Sequence, residues 1–87
     1  MLNAIFSKNF KKSFKKKDKI IQEKVKIRIR LFREDPNNLI LNNHKLSGEY
    51  EGCSSINITG DYRVVFEFLD KNTVNLVDIG THSELYE

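Results

Sequence analysis

The residues with the clearest capacity for chemistry lie at the end of the chain. His82 follows an apolar segment that ends at Ile79, and Tyr86 comes four residues after the histidine. One helical turn would bring these two side chains to the same side. A histidine exchanges protons near neutral pH, and a tyrosine donates a hydrogen bond or stacks on a base. The pattern therefore suggests a chemical site at a strand end.

Three more polar residues could converge with this histidine. Arg63 and Asp61 flank the start of an apolar segment, and His44 lies in the loop region before it. These types suit cleavage of RNA without a metal, because RNA carries its own nucleophile, the 2′-hydroxyl. A histidine serves as general acid or base, and arginine presents a planar fork of donors to phosphate. The alternatives are a surface ion pair between Arg63 and Asp61 and a loop contact for His44.

Metal, disulfide and membrane chemistry find no support in the residue pattern. The two histidines are far apart, and Cys53 is the single cysteine. They form no recognised metal-ligand spacing, so we expect neither a metal nor a cofactor. Cys53 is expected to be a half-buried filler, and the lack of a possible internal disulfide favours the cytoplasm. No apolar run approaches the roughly 18 residues that a membrane span needs.

Charge is divided unevenly along the chain. Residues 1–33 carry twelve lysines and arginines against two acidic residues, a net charge of +10, whereas residues 34–87 have a net charge of −7. A basic segment of this density is typical of proteins that bind a polyanion, since neutralising phosphates drives affinity for nucleic acid. The alternative is a solvated helix surface. We expect RNA contacts from the lysines of the first helix, Lys11, Lys12, Lys15 and Lys16.

The apolar periodicity predicts an α+β protein with a single domain over residues 1–87. A short strand at Asn3–Phe6 is followed by a helix over about 8–17 that Ser7 caps. A second helix begins after Asp18 and runs to about residue 34, before Pro36. Its apolar face is expected to contain Ile20, Ile21, Val25, Ile27, Leu31 and Phe32.

Alternating residues in the second half predict strands over 54–59, 62–69 and 73–79. Short turns between them favour a three-stranded antiparallel meander, with both helices packed on one face of a twisted sheet. One face of the middle strand is expected to hold Val64, Phe66 and Phe68, and the other face Arg63, Val65 and Glu67. Leu39, Leu41 and Leu46 are expected to fasten the loop region to the core.

Three sequence blocks resemble the RelE/ParE toxin superfamily, and most closely its YafQ-like branch. They are Asn43–Gly48, Asp61–Phe66 and Ile79–Tyr86, in this order. The resemblance implies a RelE-like fold and a bacterial toxin of a type II toxin-antitoxin system. It further implies a metal-independent endoribonuclease that cuts mRNA in the ribosomal A site, with the ribosome and a cognate antitoxin as partners. The alternatives are a non-enzymatic gyrase inhibitor resembling ParE and an inactive relic that only binds an antitoxin.

The resemblance also implies roles for individual residues. His82 matches the principal catalytic histidine of the branch, the implied general acid. Three residues match further catalytic positions, and two match aromatic positions at which RNA contact is expected: His44, Asp61 and Arg63, and Tyr62 and Tyr86. Asn57 stands where the branch has another functional histidine, and Asp78 stands where it has an arginine. The general base is therefore open, with His44 as a candidate.

Overall fold

The computed structural model describes residues 1–86. A strand and two helices come first, followed by four strands and a closing helix; two single 3₁₀ turns, Leu39–Leu41 and Gly48–Tyr50, flank the second strand. The bounds are β1 Asn3–Phe6, α1 Lys8–Lys15, α2 Lys19–Glu34, β2 His44–Lys45, β3 Ser54–Thr59, β4 Tyr62–Asp70, β5 Thr73–Thr81 and α3 His82–Tyr86. Among residues 1–86, no helix is long and apolar enough to cross a membrane.

The five strands form one sheet in the order β1-β5-β4-β3-β2. The predicted α+β fold with its antiparallel meander is confirmed; the predicted strand β1 forms one edge of the sheet, and the additional strand β2 forms the other. β1 lies parallel to β5, with Asn3 opposite Thr73 and Phe6 opposite Leu76. β2 pairs with β3 through His44 opposite Ser55 and Lys45 opposite Ser54, a strand too short to show an alternating pattern.

The side chains of Ser7 and Asp18 cap the N-termini of α1 and α2, as predicted. The Ser7 hydroxyl accepts a hydrogen bond from the backbone N–H of Phe10 (3.0 Å), and the Asp18 carboxylate accepts one from that of Ile21 (2.9 Å). Each satisfies a backbone donor that the first helical turn leaves free. Helix α1 ends at Lys15, two residues earlier than predicted.

The main core lies between the helices and one face of the sheet. Helix α2 contributes Val25, Ile29 and Phe32, whose spacing gives a single buried stripe, and the ring of Phe32 lies 4.5 Å from that of Phe66. The stripe is narrower than predicted, since two members of the expected face, Ile20 and Ile27, are 70% and 63% exposed. Other buried core residues include Phe10, Leu41, Ile56, Ile58, Val64, Val74, Leu76 and Ile79.

The predicted anchoring of the loop region is right for one leucine and wrong for another. Leu41 is fully buried, but Leu39 is 95% exposed, because both belong to one 3₁₀ turn that can bury only one side. Phe68 packs edge-on against Phe66 yet stays half-exposed near the end of β4.

The opposite face of the sheet is also partly covered. Val65 alternates with core residues and so points away from the main core, yet it is fully buried. Leu85 of α3 is buried as well, outside the main core. Helix α3 folds back against β5, and Gly80 permits this close approach. A Cβ at Gly80 would lie 3.1 Å from Glu84 Oε1 and 3.2 Å from Glu84 Cβ.

Candidate active site

A cleft of about 500 Å³ opens between α3 and the β2 region. The side chains lining it come from three separate parts of the chain: His44, Lys45, Leu46, Ser47, Arg63, His82 and Tyr86. Four of the predicted site residues therefore meet in one place, namely both histidines, the arginine and the terminal tyrosine. The sheet brings them together, because the end of β5 pairs with the start of β4 on one side, and β3, which carries β2 on its far edge, pairs with β4 on the other side.

His82 is the first residue of α3, and its backbone is held at the strand end. Its N–H donates to the carbonyl oxygen of Asp61 (3.1 Å). The preceding Thr81 forms a capping box with Glu84. The Glu84 N–H donates to Thr81 Oγ1 (3.2 Å), and the Thr81 N–H donates to Glu84 Oε1 (2.8 Å). The imidazole itself is exposed toward the cleft.

His44 lies on the other wall of the cleft with both ring nitrogens in contact. Nδ1 lies 2.8 Å from the carbonyl oxygen of Asn42, and Nε2 lies 3.4 Å from Ser55 Oγ. A carbonyl oxygen only accepts, so Nδ1 carries the hydrogen and donates it. Nε2 of the neutral ring is then the basic atom. The Nε2 lone pair can accept a hydrogen bond from the Ser55 hydroxyl or take up a proton.

The guanidinium of Arg63 is held by backbone carbonyls. Nη1 donates to the carbonyl oxygens of Gly60 and Tyr62, each at 3.2 Å. Within residues 1–86 the ion pairs are Lys17–Glu84 and Glu23–Lys26, so Arg63 makes none with Asp61. The alternative reading of these two residues as a surface ion pair is therefore wrong. The other N–H groups of the fork can serve an anionic ligand.

Tyr86 packs against His82 and continues into a row of aromatic rings. Its ring centre lies 4.8 Å from that of His82 and 6.1 Å from that of Tyr50, both nearly edge-to-face. Sequence reasoning missed Tyr50, which sits in the 3₁₀ turn after β2. Burial raises the pKa of its phenol above 10.0, and the carboxylates of Asp78 and Glu49 add to the increase. Tyr50 thus remains neutral, and its ring packs against that of Tyr86 from the segment after β2.

Six predicted site residues lie outside this lining, two near the turn before β4 and four lysines on and just after α1. The Asp61 side chain is exposed, and the residue acts on the site through its backbone carbonyl. Tyr62 packs against the main core, with the ammonium of Lys17 located 5.6 Å from its ring centre. The four lysines predicted to bind RNA are exposed on and just after α1, away from the cleft: Lys11, Lys12, Lys15 and Lys16.

Two residues that depart from the resembled pattern have defined surroundings. Asn57 pairs with Arg63 across β3 and β4, and its Oδ1 is buried with no hydrogen-bond partner among residues 1–86. The Asp78 carboxylate accepts hydrogen bonds from Ser13 Oγ (3.0 Å) and the Ile79 N–H (2.8 Å). Asp78 is thereby directed toward α1, and it is not among the side chains that line the cleft within residues 1–86.

Comparison with known proteins gives the family. The family described as the bacterial toxin of type II toxin-antitoxin system, YafQ, matches residues 2–87. The chain belongs to the YafQ toxin family. This confirms the resemblance that the three sequence blocks indicated. Among curated proteins, none matches the chain.

Solved structures share the fold of this YafQ-family chain. YafQ from E. coli strain BL21(DE3) is 18% identical with a TM-score of 0.78, and both chains are covered completely. YafQ in the E. coli DinJ-YafQ complex is 19% identical, with a TM-score of 0.77 and complete coverage. The Staphylococcus aureus YoeB-YefM complex contains a chain that is 21% identical, with a TM-score of 0.73 and coverage of 94% of this chain and 98% of that one.

The YafQ-family chain carries a second cavity, of about 610 Å³, between α1 and α2. We call it the helix groove. Its floor is apolar and consists of Phe6, Phe10, Phe14, Val25 and Ile29. Its rim is basic, with Glu34 as the acidic exception among Lys11, Lys15, Lys26, Arg30 and Arg33. The helix groove and the cleft share no lining residue.

Proposed function

We propose that this toxin is a ribosome-dependent endoribonuclease that cuts mRNA through attack of the 2′-hydroxyl. The supporting observation is the cleft itself, in which two histidines on opposite walls share the lining with an arginine. This set supplies a base, an acid and a stabilising cation. The reaction therefore needs no metal. We place it in the cytoplasm, with mRNA and the ribosome as partners.

His44 acts as the general base in this proposal. Its Nε2 removes the proton from the 2′-hydroxyl while the Nδ1–H stays bonded to Asn42. The 2′-oxygen then attacks phosphorus, and the bond from phosphorus to the 5′-oxygen breaks. His82 gives its proton to that departing oxygen, and Arg63 stabilises the negative charge on the phosphorane. The products are a 2′,3′-cyclic phosphate and a free 5′-hydroxyl.

The remaining predicted residues bind RNA rather than react with it. Tyr86 lines the cleft beside His82, where an aromatic ring can stack on an unpaired base. The exposed lysines on and just after α1, Lys11, Lys12, Lys15 and Lys16, give the chain a cationic surface outside the cleft. We assign this surface to the phosphates of ribosomal RNA. Asp61 supports His82 through its carbonyl.

A cognate antitoxin is the proposed protein partner. The solved DinJ-YafQ and YoeB-YefM structures are complexes of relatives, and the family is one of toxin-antitoxin systems. The helix groove fits an amphipathic segment whose apolar side meets the phenylalanine floor and whose acidic side meets the basic rim. Charge complementarity of this kind accelerates docking and orients it.

Induction of the chain without its antitoxin tests the proposal. We expect growth arrest and mRNA cleavage with the wild-type chain, and loss of both with His82→Ala or Arg63→Ala. Glu23→Ala, an exposed change on α2, serves as the matched control and should cut like wild type. Cleavage by both site variants at the wild-type rate would refute the site. DNA damage without mRNA loss would instead indicate a gyrase inhibitor, and no growth effect would indicate an inactive relic.

A further inference from the structure

We propose that Lys17 and Glu84 form a latch that holds α3 in place and thereby positions His82 for catalysis. Lys17 Nζ lies 3.2 Å and 3.4 Å from the two carboxylate oxygens of Glu84. The contact joins the segment just after α1 to α3, near opposite ends of the sequence. The inference rests on the proposed function, since it concerns the geometry of the same cleft.

Helix α3 cannot hold its own position. It has five residues, and isolated helices shorter than about 12 residues are marginal in water. Its placement therefore depends on contacts with the rest of the molecule. They include the bond from the His82 N–H to Asp61, the burial of Leu85, and the ion pair from Glu84 to Lys17.

Glu84 lies on the side of α3 that is opposite the cleft residues. Successive helical residues are about 100° apart, so Glu84 points away from the side that carries His82 and Tyr86. Within residues 1–86 it is absent from the cleft lining. Glu84 is therefore a positioning residue, and it has two connections: one oxygen accepts the Thr81 N–H in the capping box, and both oxygens meet Lys17.

Lys17 is built into the molecule as a fixed anchor. Its side chain is 11% exposed, whereas that of Glu84 is 54% exposed. Its backbone N–H donates to the carbonyl oxygen of Phe14 (3.1 Å), and its ammonium lies near the ring of Tyr62. A charge that is largely buried is screened less than a solvated one. The buried lysine therefore serves as the anchor for the more exposed glutamate.

The Glu84 carboxyl is ionised at neutral pH. The Thr81 N–H, followed by Lys17, lowers the pKa of the Glu84 carboxyl below its ordinary value of 4.5. On the side of β5, Gly80 leaves room for the Glu84 side chain, because a glycine has no Cβ that would displace it. The bond to the Asp61 carbonyl, the capping box and the Lys17–Glu84 latch thus all constrain the position of α3.

A double-mutant cycle tests the latch with purified toxin and ribosomes carrying a defined mRNA. Glu84→Gln keeps the cap acceptor and removes the charge, and Lys17→Met keeps the apolar stem and removes the ammonium. We expect each to lower the cleavage rate at saturating ribosomes about 2- to 5-fold, and the double variant to be no slower than either. Glu84→Ala also loses the cap, so we expect about a tenfold loss or more.

The cycle separates the latch from a direct role of Lys17 in RNA binding. If Lys17 only contacted phosphate, its loss would change the apparent affinity for ribosomes, and the two single effects would multiply. That result would overturn the proposal. Glu23→Gln, which breaks the exposed pair with Lys26, is the matched control and should leave the rate unchanged.

Hydrogen exchange of the His82 amide gives a readout independent of activity. In the latch variants we expect faster exchange of this amide, because α3 moves away from the Asp61 carbonyl more often. Unchanged exchange in Glu84→Ala would overturn the latch even if cleavage fell. If the wild-type chain cuts no RNA while exchange responds as expected, the proposed function fails and the latch stands.

Discussion

A methyl group added at Gly80 is expected to damage the site without touching any residue that lines the cleft. The new Cβ would meet Glu84 Oε1 at 3.1 Å, Glu84 Cβ at 3.2 Å and Leu85 Cδ2 at 3.4 Å. The first atom belongs to a flexible end that can move, but Glu84 Cβ moves only with the helix. Helix α3 must therefore shift by a few tenths of an ångström, or the capping box must break.

The magnitude of this Gly80→Ala effect follows from general costs of overpacking. Such insertions cost about 1–3 kcal/mol. For a chain of this size that lowers Tm by roughly 5–20 °C. Because His82 is two residues away on the helix that moves, we expect mRNA cleavage to fall by about tenfold to a hundredfold. Scanning calorimetry and cleavage on purified ribosomes measure the two effects.

A control substitution on α3, the helix that is expected to move, makes the Gly80→Ala result specific. Ser83 is exposed, so Ser83→Ala should keep both the Tm and the cleavage rate. The double change Gly80→Ala with Glu84→Ala removes the carboxylate contact but also the cap, and should not restore activity. A Gly80→Ala chain that keeps wild-type Tm and wild-type cleavage would refute our account of how α3 is placed.

Three further predictions follow from the core, the capping box and the helix groove. Phe32→Ala, at a fully buried ring packed on Phe66, should lower the free energy of unfolding by about 3–5 kcal/mol in denaturant titration, and a loss below 1 kcal/mol would contradict this packing. Since the folded pKa of Glu84 lies below its ordinary 4.5, its stabilising effect is present above that value and is lost as pH falls through the lowered pKa. Protection of the His82 amide should thus fall with acidification in wild type but not in Glu84→Gln, whereas equal pH dependence in both would assign it elsewhere. Arg30→Glu, on the basic rim, should slow antitoxin association by about tenfold at low salt, whereas Lys19→Glu outside the helix groove should have less effect; equal slowing by both would place the antitoxin elsewhere.

The regular parts of the fold could be predicted because their periodicity is long. Helix α2 spans sixteen residues, and strands β4 and β5 span nine each, so their apolar patterns repeat several times. The two sheet edges could not be predicted in full. β2 has two residues, and the pairing of β1 with β5 depends on tertiary contacts that no local pattern records.

The candidate site was predictable in its residue types rather than in its construction. His44, Arg63, His82 and Tyr86 have side chains that suit RNA cleavage, and they do share a cleft. Tyr50 was missed because an aromatic residue in a loop has no periodic signal. The capping box was available as a Thr-x-x-Glu pattern at Thr81, which a search for helix starts would have found. The use of a backbone carbonyl by Asp61 leaves no trace in residue type.

The central claim is that the cleft promotes attack of the RNA 2′-hydroxyl on the neighbouring phosphate. The most direct measurement adds purified toxin to ribosomes programmed with one of two mRNAs and compares the cleavage of the two. One is unmodified, and the other has a single 2′-deoxy nucleotide at the cut position. We predict that the first is cut to a 2′,3′-cyclic phosphate and that the second stays intact. Equal cleavage of both mRNAs would contradict the mechanism and the roles assigned to His44 and His82.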